Sequence, residues 1–186
     1  MTKEASQLIA ARSKTWITQA LIELLEHQSF ESIRITDIIT QADLTRQTFY
    51  RHFKSKEEVI EAYISELYQQ LFTQIDALTK PTFHEILQAY FTYWSQQRPF
   101  LERMMQSGYP YDPIRCATPY VQKILIGLPL THHDDARHKA YVESFVAGGL
   151  ATMKNLWMHQ GFQETPEELA QTVAQLINLP DHTSSD

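Results

Sequence analysis

A stretch near the amino end, TRQTFYRHFKSKEE at residues 45–58, collects several kinds of hydrogen-bonding side chain. Arg46 carries a guanidinium and Gln47 a carboxamide, which can pair with base edges through two hydrogen bonds each, arginine with guanine and glutamine with adenine. Each such pair discriminates against a wrong base by about 1–3 kcal/mol. Other side chains here suit phosphate oxygens, which position a protein on a duplex without reading its sequence. They are Thr45, Thr48, Tyr50, His52 and Lys56.

The surrounding residues predict the helices that must hold this stretch. Apolar residues recur with helical spacing between Trp16 and Leu25, which predicts a helix over about residues 14–27. A shorter helix is predicted over 35–42, and Thr45 can cap a third that ends near His52. Two short helices joined by a tight turn and braced by a longer one form a helix-turn-helix, whose second helix enters the DNA major groove. Leu44, Phe49 and Phe53 are expected to seat that second helix.

The rest of the chain is also predicted to be helical. The pattern of a capping box, Ser or Thr followed three residues later by Glu, occurs at Ser55, Thr82 and Thr165. These boxes predict helices running to about residue 78, to about residue 97, and near the carboxyl end. Further helices are predicted near 99–106, 118–126 and 134–159. The fold class is therefore all-α, with a helix-turn-helix domain at 1–56 and a helical effector-binding and dimerisation domain at 57–186.

Composition limits the classes of protein that the chain can be. Net charge is −6, yet residues 1–56 carry +2 and residues 57–186 carry −8, which favours a local polyanion-binding module. The single Cys116 excludes an intrachain disulfide framework. The longest apolar run, ILIGLPL, is too short to span a bilayer, and the amino end has no apolar leader. We therefore expect a cytoplasmic protein with no membrane partner.

Residues 30–64 resemble the DNA-binding head of the TetR/AcrR family of transcriptional regulators. The matching features include Phe30, Asp37 and, most specifically, YRHF followed by KSKEE at residues 50–58. The resemblance implies an all-helical homodimer that binds a palindromic operator in double-stranded DNA and releases it when a small-molecule effector binds the C-terminal domain. Carried over by position, it also implies a set of DNA-facing residues. They are Arg34, Thr36, Thr45, Arg46, Gln47, Thr48, Tyr50, His52 and Lys56.

Two positions depart from the family pattern. Asp43 lies in the turn where the family often has glycine, and aspartate tolerates the left-handed conformation at a cost of about 1 kcal/mol. Arg34 stands where the second helix usually opens with Thr or Ser, which weakens the cap but adds a possible DNA contact.

The segment YVESFVAGGLATMKNLWMHQGFQETPEELAQTV resembles the last two helices of many family members, which form the dimer's four-helix interface. Gly148, Gly149, Thr152 and Leu156 are the predicted interface residues. Two adjacent glycines within a helix cost about 1 kcal/mol each relative to alanine, so some packing reason is expected. Both a dimer seam and internal core packing remain open as that reason.

Aromatic and methionine side chains in the C-terminal part could line an effector pocket for a small apolar or aromatic ligand. The alternative is that they form the core, as aromatic stripes at helical spacing usually do. The candidates are Tyr90, Trp94, Met104, Met105, Tyr109, Tyr120, Phe145 and Trp157, together with Phe100.

The string THHDDARHKA could suggest a metal site through His133, Asp134 and His138, but an acidic helix start explains it more simply. No catalytic motif is present, so we expect neither an enzyme nor a bound cofactor or metal. The leading hypothesis is a ligand-responsive repressor. The rival is a helical small-molecule carrier or co-regulator partner, possibly an activator, whose helix-turn-helix head reads no sequence.

Overall fold

The computed structural model describes residues 3–120 and 136–177, and these residues form helices, turns and loops with no strand. A 3₁₀ turn, Thr118–Tyr120, follows the seventh helix. The helices are α1 (Lys3–Leu24), α2 (Ile35–Gln41), α3 (Arg46–His52), α4 (Lys56–Asp76), α5 (Phe83–Gln96), α6 (Arg98–Gln106), α7 (Pro113–Ala117), α8 (Ala136–His159) and α9 (Pro166–Ile177). Within the described ranges, no helix combines the length and hydrophobicity that a bilayer crossing requires.

The all-α prediction is confirmed, with differences at the ends of elements. Helix α1 begins at Lys3 and not near residue 14, because residues 3–13 are mostly good helix formers although they lack an apolar stripe. Its predicted last residues form a tight turn, in which the N–H of His27 donates to the carbonyl of Leu24. Trp16 is half exposed and does not join the buried stripe formed by Ile17 and Leu21.

Of the helix predicted near 118–126 the structure describes only residues 118–120, which form the 3₁₀ turn, and the helix α7 precedes them. Helix α7 opens at Asp112, whose carboxylate accepts from the N–H groups of Ile114 (3.1 Å) and Arg115 (3.0 Å). Pro113 occupies the first helical position, where its missing N–H costs nothing. The Asp-Pro pair was a start signal that the sequence reading passed over. Residues 121–126 lie outside the described residues.

Two of the three predicted capping boxes form completely. The N–H of Thr82 donates to the Glu85 carboxylate (2.7 Å) while Thr82 Oγ1 accepts from the N–H of Glu85. The box opened by Thr165 has the same geometry. At Ser55 only half of the box forms. Ser55 Oγ accepts from the N–H of Glu58, but the Glu58 carboxylate accepts from the N–H of Lys54 and not from that of Ser55.

The chain divides into two compact units. The first comprises residues 1–67 and 99–111, and the second comprises residues 68–98 and 112–186. Apolar residues of α1, α2 and α3 form the core of the first unit, including Ile17, Leu21, Ile38 and Phe49. In the second unit, α9 packs against α5. The predicted boundary between domains at residue 56 stays a prediction.

Candidate nucleic-acid interface

Helix α2 and the turn after it are built from local backbone contacts. The N–H of Arg34 donates to the Asp37 carboxylate (2.8 Å), so the helix start is capped from within although Arg34 has no side-chain acceptor. At the other end Asp43 has φ 51°, the left-handed conformation, and the N–H of Leu44 donates to the carbonyl of Ile39 (2.9 Å). The structure therefore confirms that Asp43 takes the place of a turn glycine.

We expect Asp43→Gly to raise the free energy of unfolding by about 0.5–1 kcal/mol, because glycine adopts positive φ without a Cβ clash. Thermal unfolding of the variant measures this gain. Ala42→Gly is the matched control, since Ala42 has φ −82° and should lose stability on the same substitution. A fall in the unfolding midpoint of Asp43→Gly would contradict the assigned strain.

Helix α3 is anchored by one apolar side and capped at its start. Phe49 and Phe53 are buried against each other, with ring centroids 6.1 Å apart, and Leu44 is half-buried beside them. Thr45 Oγ1 accepts from the N–H of Thr48 (3.2 Å), as predicted. A hydroxyl cap of this kind contributes about 1 kcal/mol.

The opposite side of α3 faces solvent. Arg46 and Gln47 are exposed, so their predicted outward orientation is confirmed, while their pairing with bases stays a prediction. Of the other predicted DNA-facing residues, Arg34, Thr36, Thr45 and Tyr50 are exposed and Thr48 is half-buried. These seven side chains are carried by α2, α3 and the residues that immediately precede each of them, so the fold brings them into one short segment.

His52 and Lys56 are used differently from the prediction. Nε2 of His52 is buried without a hydrogen-bond partner in the described chain, and the pKa of His52 is lowered by burial first and then by Arg51 and Lys14. A buried ring nitrogen does not suit a phosphate. The Lys56 ammonium donates to the carbonyls of Phe30, Glu31 and Ile33. As placed, neither Nε2 of His52 nor the ammonium of Lys56 offers a free donor to DNA.

The loop between α1 and α2 rests on the carboxyl end of α6. The N–H of Phe30 donates to the carbonyl of Ser107 (2.8 Å), and the rings of Phe30 and Tyr109 meet edge to face at 4.7 Å. Arg103 forms an ion pair with Glu26. These contacts lie within the first unit, and they give Tyr109 a part in bracing this loop, while its place in an effector pocket stays a prediction.

The predicted pocket residues divide between the two compact units. Phe100, Met104, Met105 and Tyr109 belong to the first unit, and the other predicted residues belong to the second. Phe145 is 76 % exposed and lines no interior space among the described residues, so its assignment to the pocket gains no support. Phe145 lies on the exposed side of α8, and the buried side of this helix is formed by other residues, including Leu150 and Ala151.

Trp157 has a structural role. Its indole N–H donates to the carbonyl of Glu164 (2.9 Å), and its ring packs edge to face on Phe91 at 5.9 Å and on Phe162 at 4.7 Å. The side chain therefore fixes the turn between α8 and α9. Tyr90, Trp94 and Tyr120 stay predictions as effector contacts.

A buried lysine, which the sequence reading missed, lies among these aromatic residues. Lys154 is 0 % exposed, its ammonium lies 3.7 Å from the ring centroid of Trp94, and it donates to the hydroxyl of Tyr68 (3.3 Å). Tyr68 in turn stacks on Tyr120, with centroids 4.7 Å apart. Burial lowers the pKa of Lys154 to about 7, against an opposing contribution from Cys116. In the sequence, the burial of Lys154 is indicated only by its position within the apolar face of α8.

Helix α8 leaves a row of apolar and small residues uncovered by the described chain. Tyr141, Phe145 and Leu156 are exposed by 76 %, 76 % and 56 %, and Gly149 and Thr152 lie between them on the same face. A Cβ added at Gly148 or Gly149 would meet no atom of the described residues within 4 Å. Packing inside the described chain therefore does not explain the two glycines.

The possible metal ligands His133 and Asp134 lie outside the described residues, as does the side chain of His138. Among the side chains that the structure places, no three His, Cys, Asp or Glu residues converge as a metal site would require.

Comparisons with known proteins agree with this architecture. Residues 17–63 match the family described as bacterial regulatory proteins, tetR family, and residues 81–179 match the transcriptional regulator C-terminal region of the same family. No protein of curated function matches the chain.

Solved structures share the fold. A TetR transcriptional regulator from Streptococcus agalactiae is 23 % identical with a TM-score of 0.67, covering 95 % of this chain and 99 % of that one. Lin0861 from Listeria innocua is 20 % identical with a TM-score of 0.72, covering 91 % of each chain. The dihydroxyacetone kinase operon activator DhaS is 16 % identical with a TM-score of 0.62, covering 89 % of this chain and 93 % of that one. Because the matched C-terminal region alone spans more than half of the 186 residues, the chain belongs to the TetR family of ligand-responsive, DNA-binding transcriptional regulators.

Proposed function

We propose that this regulator is a cytoplasmic homodimeric repressor without catalytic activity, which reads a palindromic operator through α3. The observation that carries the proposal is that Arg46 and Gln47 are both exposed on a helix whose other side is buried through Phe49. Such a helix can enter a major groove without disturbing its own core. Two copies in a dimer would place their recognition helices about 34–36 Å apart, one turn of DNA.

The proposed contacts divide into two kinds. Arg46 and Gln47 read base edges, because their guanidinium and carboxamide present paired hydrogen bonds. Phosphate contacts come from side chains around them, all exposed except the half-buried Thr48, and position the dimer without adding sequence information. They are Arg34, Thr36, Thr45, Thr48 and Tyr50. His52 is left out because Nε2 of its ring is buried, and Lys56 because its ammonium donates to three backbone carbonyls.

Selection of duplexes from a random pool by the wild-type protein, followed by mobility-shift titration, tests this proposal. We expect Arg46→Ala to lower the preference for the selected duplex over a scrambled one by at least about tenfold, because one bidentate base contact is lost in each subunit. Binding to the scrambled duplex should fall much less.

Lys80→Ala is the control for this test, since it removes one exposed positive charge from the second unit. It should leave the preference unchanged. An equal loss by Arg46→Ala on both duplexes would assign Arg46 to the phosphates instead. Failure of the wild-type protein to enrich any sequence would favour the carrier or co-regulator hypothesis.

Homodimerisation through α8 and α9 is part of the proposal. Support comes from the exposed apolar row of α8 and from Gly148 and Gly149, whose missing side chains allow another helix to approach closely. A helix that gives up about 1 kcal/mol at each glycine, with no compensation among the described residues, is best explained by a partner surface. The partner proposed is a second copy of the chain, because a palindromic operator requires two recognition helices.

The effector is proposed to be a small molecule that binds in the second unit near Tyr90, Trp94 and Tyr120. Support comes from the hydroxyl of Tyr90 and the indole N–H of Trp94, which are buried and make no hydrogen bond of good geometry to another described residue. A ligand releases DNA only if it binds the released conformation better than the DNA-bound one. A reporter gene behind the selected operator decides between repression and activation. Activation is the function that the name of DhaS gives for that protein.

A further inference from the structure

The ammonium of Lys56 is surrounded by backbone oxygens of the loop between α1 and α2. It donates to the carbonyls of Phe30, Glu31 (3.1 Å) and Ile33 (2.8 Å), and it lies 4.5 Å from the ring centroid of Phe30. A lysine ammonium has three N–H donors, so this loop engages them all. A DNA phosphate would have to displace a carbonyl to gain a hydrogen bond from Lys56.

These carbonyls lie just before the residues that face DNA. Ile33 is buried, and it is followed directly by Arg34, the residue that caps the start of α2. Lys56 is itself the first residue of α4, four positions after α3 ends at His52. One side chain therefore connects the start of α2 to the segment that leaves α3. The positions of both ends of the helix-turn-helix therefore depend on the position of the Lys56 side chain.

The loop is held on another side by α6, and this restricts what the loss of Lys56 can change. The N–H of Phe30 donates to the Ser107 carbonyl, and Tyr109 packs on the Phe30 ring. Phe30 would stay anchored by these contacts if the ammonium were removed. The carbonyls of Glu31 and Ile33 would lose the partner shown here, so the change should be concentrated at the start of α2.

We propose that Lys56 is a positioning residue, which sets α2 and α3 for DNA through the carbonyls of the preceding loop and does not contact phosphate. The proposal rests on the DNA-binding surface proposed above. It predicts that the number and arrangement of donors matter at position 56 and that positive charge alone does not suffice. Arginine keeps the charge and binds phosphate well, but its planar fork cannot direct three donors as an ammonium does.

The test compares Lys56→Met and Lys56→Arg with the wild-type full chain on the selected duplex, at several salt concentrations and at a temperature where all are folded by circular dichroism. Lys54→Met is the matched control, because it removes an exposed lysine two residues away. We expect the affinity of both Lys56 variants for the selected duplex to be at least about tenfold lower than that of the wild type at every salt concentration. The slope of log affinity against log salt should stay that of the wild type, because no phosphate contact is lost.

Amide hydrogen exchange of the free proteins supplies a measurement that does not depend on DNA. We expect faster exchange in residues 35–41 for both Lys56 variants and wild-type rates there for Lys54→Met. Lys56→Gln, which retains two donors, takes the place of any variant that fails to fold.

Three results would overturn the assignment. The first is wild-type affinity of Lys56→Arg together with a slope for Lys56→Met that is shallower by about 0.9 per subunit, the mark of a lost phosphate contact. The second is unchanged exchange in α2. The third is faster exchange with wild-type DNA affinity in both variants, which would make Lys56 purely structural. If the wild-type protein enriches no duplex, the proposed sequence-specific DNA binding is wrong. The exchange rates still decide whether Lys56 holds the start of α2.

Discussion

Replacing both Phe145 and Leu156 with glutamate is expected to make the protein monomeric at micromolar concentration and to weaken binding to the selected duplex by at least about 100-fold. Both side chains lie in the exposed row of α8, and in a two-fold dimer each charge would be buried twice. Removing the dimer also removes the advantage of binding two half-sites together, which is typically 10²–10⁴ in affinity. Analytical ultracentrifugation and fluorescence anisotropy measure the two effects.

Leu78→Glu provides the control, because Leu78 is an exposed apolar residue just beyond α4 and outside that row. This variant should remain dimeric and bind DNA like the wild type. Unfolding of the double variant is checked by circular dichroism, and no loss of helix is expected because both positions face solvent. A double variant that still sediments as a dimer would move the interface to another face of the molecule.

Lys154→Met is expected to raise the unfolding midpoint at pH 7 by about 3–10 °C. Methionine has similar length and no charge, and replacing a buried charged group by an apolar one of similar volume often stabilises a protein by about 1–4 kcal/mol. In a chain of this size each kcal/mol corresponds to about 2–4 °C. Loss of the hydrogen bond to Tyr68 and of the contact with the Trp94 ring opposes the gain without cancelling it.

The gain should shrink as pH rises, and this dependence identifies Lys154 as its source. Burial lowers the pKa of Lys154 to about 7 from its ordinary 10.5, so between these values the unfolded chain holds a proton that the folded chain has released. The free energy of unfolding of the wild type therefore increases with pH across this window, and the variant lacks this contribution. The difference in unfolding midpoint between the variant and the wild type should therefore be smaller at pH 9 than at pH 7.

Lys80→Met serves as the control for this pH dependence, because Lys80 is exposed. Its difference from the wild type should be small and independent of pH. A lower midpoint for Lys154→Met at both pH values would mean that the ammonium stabilises the fold. Lys154 would then have to be protonated and well compensated in the folded state.

Features that depend on neighbouring residues could be predicted from the sequence. The boxes at Thr82 and Thr165 form because a hydroxyl at the cap position and a carboxylate three residues later lie within hydrogen-bonding reach of each other's backbone N–H. The left-handed Asp43 follows from the short turn, which needs one residue at positive φ. The outward orientation of Arg46 and Gln47 follows from the helical period once Phe49 is assigned to the core.

Features that depend on distant residues could not be predicted in the same way. The acceptors of Lys56 lie 23–26 residues earlier in the chain, and nothing in the run KSKEE indicates them. Tyr109 was assigned to a pocket because aromatic and methionine residues cluster around it in the sequence, whereas its partner Phe30 lies far earlier in the chain. Phe145 shows that hydrophobic type alone does not distinguish an inward residue from one that faces outward.

The bracing of the loop after α1 by the end of α6 has a consequence for chimeras between related regulators. A DNA-reading head transplanted as a continuous stretch ending near residue 67 would leave behind Arg103, Ser107 and Tyr109, the residues that hold Glu26 and Phe30. The graft would then rest on a foreign support under its first loop. Exchanging specificities cleanly therefore calls for a discontinuous graft in which residues 99–111 travel with the head.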